Sequence, residues 1–200
     1  MSYHWCAKPK ELPQVLKYCG RCGRKTAFVC SGNFRVNAQK KALDVWLIYK
    51  CAACDTTWNM EIFSRVAPHA LEKELYEGFL KNDSALAVRY AYDRMVLQKN
   101  RAEADFDAIP FEVEGDTPKA GPQPAPITVA LTCAFGARLD RLLAQKLRLS
   151  RTEVQRLTQA GEIRLAGDDT AKDLKGIRVH TSVTLMLSSE ALKAMEQAEA

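Results

Sequence analysis

The sequence lacks the long apolar runs of a membrane protein. No stretch reaches the ~18 consecutive apolar residues that a membrane-spanning helix needs. The start, MSYHWCAKPK, contains no apolar core of signal-peptide length. We therefore expect a cytoplasmic protein with no membrane partner. Its 47% hydrophobic and 26% charged residues are ordinary for a globular chain, and 200 residues suit one or two small domains.

The cysteines give little support for disulfides. They number seven, an odd count, and four of them form two Cys-x-x-Cys pairs that 28 residues separate. In a reducing compartment such pairs favour metal binding over disulfides. Two thiolate knuckles can close a tetrahedral zinc shell. The sequence therefore predicts one structural zinc ion, and its expected ligands are Cys19, Cys22, Cys51 and Cys54.

Strand-like patterns surround the two cysteine pairs. Residues 28–36 and 43–49 lie between the pairs, and 56–63 follow the second pair. Residues 18–65 resemble a zinc ribbon, which is too small to fold without its metal. A catalytic zinc keeps an open coordination position, and four cysteines leave none. Cys30 is an alternative ligand, although it has no paired cysteine beside it.

The net charge of +5 is unevenly distributed along the chain. Residues 1–65 carry 11 Lys and Arg against 4 Asp and Glu, whereas residues 66–126 carry 7 against 11. Within 138–164 the basic side chains again dominate, with 7 against 3. Two basic regions around an acidic middle are typical of a nucleic-acid binder with two contact surfaces. The alternative is an ordinary charged surface that keeps the protein soluble.

Residues 137–165 have the clearest helical pattern in the chain. One stripe of apolar side chains recurs at helical spacing, and it consists of Leu139, Leu142, Leu143 and Leu147. The opposite face carries arginines, namely Arg138, Arg141 and Arg148. Ser150 and Glu153 form a capping box that starts a second helix, and Gly161 stands where that helix should end.

This stretch resembles the S-four RNA-binding domain, a module named after a ribosomal protein of the small subunit. The matching motifs are Arg138-Leu139-Asp140, Leu142-Leu143-Ala144, Leu149-Ser150-Arg151, Leu157 and residues 161–165. The resemblance implies binding of structured RNA through the face that the two helices form. The expected RNA-binding residues are Arg138, Arg141, Lys146, Arg148, Arg151, Arg156 and Arg164.

The middle of the chain reads as helical. Residues 68–101 carry two helical apolar stripes, and Asn82 or Asp83 should cap the second helix. The pattern contains no cluster of metal ligands or nucleophiles. We therefore expect this segment to pack beside the ribbon.

Together these patterns predict an α+β fold with three parts. They are an N-terminal zinc ribbon of antiparallel strands, a helical middle segment and a C-terminal S-four-like helix–helix–strand domain. The expected bounds are 1–113 for the ribbon (18–65) with its packed helical segment (68–101), 114–126 for a Pro-rich linker, 127–188 for the RNA-binding domain and 189–200 for a tail. As a separate domain, 127–188 should fold alone.

Over its whole length the chain also resembles an uncharacterised bacterial family that carries only a domain-of-unknown-function label. The features that carry this resemblance are Trp5, the two cysteine pairs, residues 34–37, residues 43–49 and the S-four-like end. The resemblance supports the architecture and implies no activity.

The leading functional hypothesis is a non-enzymatic RNA-binding protein whose partner is rRNA or tRNA, with the ribosome as a candidate target. An RNA-modifying enzyme similar to pseudouridine synthases is an alternative, because R-L-D also surrounds the catalytic aspartate of those enzymes. However, Asp140 precedes Arg141-Leu142-Leu143 and not the expected threonine and glycine. Asp140 more simply orients an arginine at the start of a helix.

Two further alternatives involve the ribbon. It could make the chain a DNA-binding or transcription-associated protein, through basic loop residues that are Arg21, Arg24, Lys25, Lys40 and Lys41. It could also dock another protein, which would make the chain a scaffold. The sequence predicts no oligomeric state.

Overall fold

The computed structural model describes residues 2–39, 42–167 and 173–199. The chain divides into two compact units. The central unit is Glu11–Ala108, and the terminal unit combines Met1–Lys10 with Ile109–Ala200. The predicted bounds differ from these units, since they place residues 1–10 in the domain 1–113 and residues 127–188 in a separate domain.

The described residues form twelve strands and six α-helices. In chain order, the strands are β1 (Tyr3–Pro9), β2 (Val15–Cys19), β3 (Arg24–Gln39), β4 (Ala42–Cys51), β5 (Thr57–Val66), β6 (Glu103–Ala104), β7 (Phe111–Glu114), β8 (Ala125–Leu131), β9 (Ala137–Arg138), β10 (Ile163–Leu165), β11 (Arg178–Val179) and β12 (Ser182–Leu187). The helices are α1 (Lys73–Leu80), α2 (Ser84–Ala91), α3 (Arg94–Lys99), α4 (Leu139–Leu147), α5 (Arg151–Gln159) and α6 (Ser189–Glu199). A short 3₁₀-helix, Pro68–Ala70, precedes α1.

The central unit is an antiparallel sheet in the order β5-β4-β3-β2-β6. Strands β3 and β4 cover the predicted strand segments 28–36 and 43–49, and β5 covers the predicted segment 56–63 from Thr57 onward. In β4, every second side chain from Leu43 to Tyr49 is buried, because successive residues of a strand point to opposite faces. Helix α1 contributes Phe79 to this core, where its ring lies 4.9 Å from that of Phe34.

Three α-helices occupy the region in which the sequence predicted two. The predicted cap at Asp83 is confirmed, because its carboxylate accepts a hydrogen bond from the backbone N–H of Leu86 at 2.9 Å. The predicted second helix is interrupted at Asp93, which caps α3 by accepting from the N–H groups of Met95 and Val96. The sequence predicted only two helices in this region, so the helix start at Asp93 was missed.

The terminal unit is a mixed sheet in the order β10-β12-β8-β1-β7. Strand β1 runs parallel to β8 and antiparallel to β7, so it is an interior strand of the sheet. Its side chains Trp5 and Ala7 are 1% and 0% exposed. Strand β1 is therefore part of the core of this unit.

The predicted fold class was wrong. The protein is mostly β-sheet, with 39% strand and 28% helix, and an S-four-like helix–helix–strand domain is not evident in the ranges that the structure describes. Helices α4 and α5 do form where the apolar stripe predicts them, but they belong to a unit whose sheet includes β1 and β7. Helical periodicity reports which local face is buried, and it carries no information on which distant strand completes the sheet.

The Pro-rich segment predicted as a linker runs within the terminal unit. The indole N–H of Trp5 donates to the carbonyl of Asp116 at 3.0 Å, and Lys146 donates to the carbonyl of Gly115 at 2.5 Å. Pro118 is buried. These contacts attach β1 and α4 to the segment between β7 and β8.

Within the described ranges, none of the helices combines the length and the apolar character needed to cross a lipid bilayer.

Candidate metal centre and basic cleft

The two cysteine pairs meet at one end of the central sheet. Cys19 ends β2 and Cys51 ends β4, and both strands pair with β3. The backbone N–H of Gly23 donates to the carbonyl of Cys19, and that of Asp55 donates to the carbonyl of Cys51, both at 2.9 Å. Both donors have positive φ, at 67° and 58°, which lets the chain turn back toward the sulfurs.

The four cysteine sulfurs form one compact cluster. All four Sγ atoms lie within 4.8 Å of one another. The Sγ atoms of Cys19 and Cys54 are 3.6 Å apart, and those of Cys22 and Cys51 are 3.9 Å apart. Cys19 and Cys51 are buried, while the other two are half-buried. This arrangement is a possible metal-binding site, with the four ligands that the sequence predicted.

Two threonines that were not predicted from the sequence contact the cluster. The hydroxyl of Thr26 lies 3.2 Å from the Cys51 sulfur, and that of Thr56 lies 3.1 Å from the Cys54 sulfur. The Thr26 hydrogen bond lowers the pKa of Cys51 to about 6, and the Thr56 hydrogen bond lowers the pKa of Cys54. Hydroxyl donors thus favour the thiolates that metals bind. A threonine shortly after each cysteine pair was the available signal.

The remaining cysteines lie apart from the cluster. Cys30 faces Tyr49 in the β3–β4 pairing, and burial raises the pKa of its thiol. Cys6 lies on β1 and Cys133 follows β8, both in the terminal unit. Among the described residues, the close group of possible metal ligands contains only the four predicted cysteines.

In the terminal unit, two arginines share one buried carboxylate. Asp140 is 6% exposed, and its Oδ2 accepts hydrogen bonds from Arg151 Nη2 at 2.7 Å and Nε at 3.0 Å. Arg138 donates from Nε and Nη2 to the same carboxylate at 3.2 and 3.1 Å. Burial alone would raise the pKa of Asp140, but the hydrogen bonds and charges of both guanidinium groups lower it overall.

This trio lines a cleft of about 440 Å³, which we call the basic cleft. Its wall also includes Gln155 of α5, together with Asp173 and Lys175 from the segment before β11. Gln155 and Lys175 were not predicted from the sequence as cleft residues. The available sequence signal was the spacing of Gln155 from Arg151. Residues four positions apart lie on the same face of a helix.

The other predicted RNA-binding residues are placed differently. The guanidinium of Arg141 lies over the Phe111 ring at 4.7 Å, and the ammonium of Lys146 lies 5.6 Å from the Trp5 ring centroid. Arg156 forms an ion pair with Glu153 at 2.7 Å. Arg148 ends α4 in the left-handed conformation, and Arg164 lies on β10. The structure therefore brings only Arg138 and Arg151 of this set to the cleft.

Local features of the helix pair agree with the sequence patterns. The leucines of the predicted stripe are at most 1% exposed. Ser150 accepts from the N–H of Glu153 at 3.1 Å, which confirms half of the capping box. The Glu153 carboxylate binds Arg156 in place of the reciprocal cap. Gly161 has φ 78°, as the end of a helix favours.

The basic ribbon loops are only partly described. Lys40 and Lys41 lie outside the described residues. Lys25 forms an ion pair with Glu103 at 2.7 Å, and Arg21 donates to the Cys54 carbonyl at 3.4 Å.

The fold and the cysteine cluster together define a β-rich protein of two units with a possible four-cysteine metal site. The sequence pattern of a family described as protein of unknown function (DUF1062) matches residues 36–169, about two thirds of the chain. The chain belongs to this family. No curated protein and no solved structure matches it.

Proposed function

We propose that the protein is a non-enzymatic RNA-binding protein with one structural zinc ion. The observation that carries the proposal for RNA is the pair of guanidinium groups, Arg138 and Arg151, on the single carboxylate of Asp140. Two positive charges against one negative charge leave the basic cleft with an excess of positive charge. Such a site attracts a phosphate group.

Preorganisation supports phosphate binding at this cleft. A guanidinium has five N–H donors, and each arginine uses two of them on Asp140. The Asp140 carboxylate fixes the planes of both guanidinium groups, so their remaining N–H donors keep a fixed direction. Arginine in this state loses little conformational entropy when it binds a phosphate oxyanion. Lys175 adds a positive charge, and Asp173 offsets it.

The same contacts argue against an enzymatic role for Asp140. Its carboxylate is nearly buried and accepts four hydrogen bonds from two cations. A carboxylate bound in this way is a weak nucleophile or base, because its charge is already compensated. We propose that Asp140 positions the two arginines, and that structured RNA such as rRNA or tRNA is the ligand.

The sulfur spacing supports zinc as the metal. A tetrahedral zinc ion with Zn–S bonds of about 2.3 Å separates its sulfur ligands by about 3.8 Å. The Cys19–Cys54 and Cys22–Cys51 separations of 3.6 and 3.9 Å agree with this value. Four thiolates leave no open coordination position, so the ion would hold the knuckles together and take no part in catalysis. Thr26 and Thr56 would keep their sulfurs deprotonated for it.

The test measures RNA affinity at several salt concentrations, with tRNA and an rRNA fragment as probes. The variant combines Arg138→Gln, Asp140→Asn and Arg151→Gln, so that no unpaired charge remains buried. Its net charge falls by one. Lys193→Gln, an exposed change on α6, is the matched control because it lowers the net charge by the same amount.

We expect the triple variant to bind about tenfold or more weakly and to reduce the log–log salt slope by roughly one to two units. The control should bind like the wild type. Equal affinity and equal salt slope for the triple variant and wild type would refute RNA binding at this cleft. Stronger binding of duplex DNA than of either RNA would instead favour the DNA-binding alternative.

A further inference from the structure

A second cavity lies within the central unit, between α3 and β6. Its volume is about 350 Å³, at the lower end of the range for small-molecule sites. Its apolar floor contains Leu97 and Phe106, which are 4% and 7% exposed. Its polar lining includes Arg94, Gln98 and Arg101. An apolar floor with a few converging polar groups is the usual composition of a ligand site.

Arg94 is held in place by an aromatic ring. Its guanidinium carbon lies 4.6 Å from the centroid of Phe106. The Phe106 ring in turn packs against Tyr92 at 5.5 Å, so it cannot easily move away. A cation over a ring face is attracted by the ring's electrons, and this contact uses none of the guanidinium N–H donors. The donors of Arg94 therefore stay available to a ligand.

Arg101 occupies a strained backbone position beside the same cavity. Its φ is 51°, in the left-handed region that glycine or asparagine adopts at lower cost. Backbone hydrogen bonds from Arg101 to Gln98 and from Ala102 to Leu97, both 3.0 Å long, hold this turn. The turn fixes the direction in which the Arg101 side chain leaves the backbone. Strain of this kind is common at binding sites.

The two arginines lack a counter-ion among the described residues. Neither forms an ion pair within 4.0 Å there. Glu103 also lines the cavity, but its carboxylate forms an ion pair with the ammonium of Lys25 at 2.7 Å. The pKa of Lys17 is lowered mainly by burial and also by the positive charge of Arg101, which shows that positive charge is in excess here. An anion between the two arginines would relieve this repulsion.

We propose that this cavity binds a small organic anion, in which a phosphate or carboxylate group is attached to an apolar group. Arg94 and Arg101 would bind the oxyanion, since planar guanidinium forks match both phosphate and carboxylate geometry. Leu97 and Phe106 would contact the apolar part. The site lies in the central unit and is independent of the proposed RNA binding at the basic cleft.

The test is calorimetric titration of the full-length protein with phenyl phosphate, inorganic phosphate and benzyl alcohol. We expect phenyl phosphate to bind most tightly, because it alone presents both the oxyanion and the apolar ring. Arg94→Gln and Arg101→Gln should each weaken its binding by about tenfold or more, since each removes a charge-assisted contact.

Arg89→Gln is the matched control. The Arg89 guanidinium also lies over a ring, that of Tyr90 at 5.5 Å, but Arg89 is on α2 and does not line the cavity. This variant loses the same charge and the same type of ring contact, and its affinity for phenyl phosphate should not change. Failure of phenyl phosphate to bind, or equal weakening in all three variants, would overturn the proposal.

A second measurement needs no variant. Phenylglyoxal modifies accessible arginines, and mass spectrometry identifies each modified residue. Phenyl phosphate should protect Arg94 and Arg101 from modification and leave Arg89 reactive. Equal modification of all three arginines with and without phenyl phosphate would also overturn the proposal.

Discussion

Removing both arginines from Asp140 should destabilise the terminal unit far more than removing either one. The Asp140 side chain is 9% exposed, whereas those of Arg138 and Arg151 are 26% and 50% exposed. Arg151→Gln leaves Arg138 to neutralise the carboxylate. We expect a loss of only about 1 kcal/mol, because the contribution of a half-exposed ion pair is reduced by solvent screening.

The double variant Arg138→Gln and Arg151→Gln leaves a buried carboxylate without a cation. Breaking a buried ion pair in this way costs about 3–5 kcal/mol. At about 2–4 °C per kcal/mol for a chain of this size, the melting temperature should fall by roughly 6–20 °C. The loss should exceed the sum of the two single variants, since either arginine alone partly compensates the charge.

Adding Asp140→Asn to the double variant should restore much of this loss. The amide carries no charge, so the desolvation cost that destabilises the double variant disappears. Thermal unfolding followed by circular dichroism, for the wild type, both single variants, the double and the triple, gives the complete comparison. If the double variant melts like the wild type, or if Asp140→Asn lowers its melting temperature further, the carboxylate is not the centre of this cluster.

Three further predictions concern the metal, the sheet and pH. Elemental analysis should find one zinc ion per chain, which Cys51→Ser should release while Cys30→Ser retains it; release by both would add Cys30 to the ligands. The isolated fragment 127–188 lacks β1 and should unfold without a cooperative transition, contrary to our expectation from sequence, and a sharp thermal transition would show that β1 is dispensable. The folded pKa of Asp140 lies below its ordinary value of 3.8, so its stabilising contribution is complete above that pH and is lost as the pH falls through the folded pKa. Asp140→Asn should therefore flatten the decline of melting temperature in acid. An unchanged acid profile would contradict the lowered pKa of Asp140.

The cysteine cluster was predictable because its information is local. Two Cys-x-x-Cys pairs with strand patterns between them require only that neighbouring strands pair, and Cys19 and Cys51 end two strands that flank β3. The threonines that contact the sulfurs were missed. Their role depends on side-chain distances of 3.2 and 3.1 Å that a spacing pattern does not report.

Helical periodicity carried no information on what the basic side chains of the helix pair contact. It set Arg138, Arg141 and Arg148 opposite the leucine stripe as one exposed face. Arg141 turns toward Phe111 of β7, and Lys146 toward Trp5 of β1. These aromatic rings come from residues that were predicted to belong to another domain, 1–113. The contacts of these two side chains depend on strand pairings that local periodicity does not encode, and their role in RNA binding stays a prediction.

The sequence by itself determined the local structure of this protein: the two cysteine knuckles, the leucine stripe of α4, and the caps at Asp83 and Ser150. Each depends on residues within a few positions of one another, or on a spacing that one turn or strand pair satisfies. Only the tertiary structure decided that β1 lies between β8 and β7, where Trp5 pairs with Val129. It also decided that Arg94 and Arg101 share a cavity with the Phe106 ring. The physical reason is that the pairing of distant strands and the filling of cavities depend on the packing of the whole unit, which local periodicity does not encode.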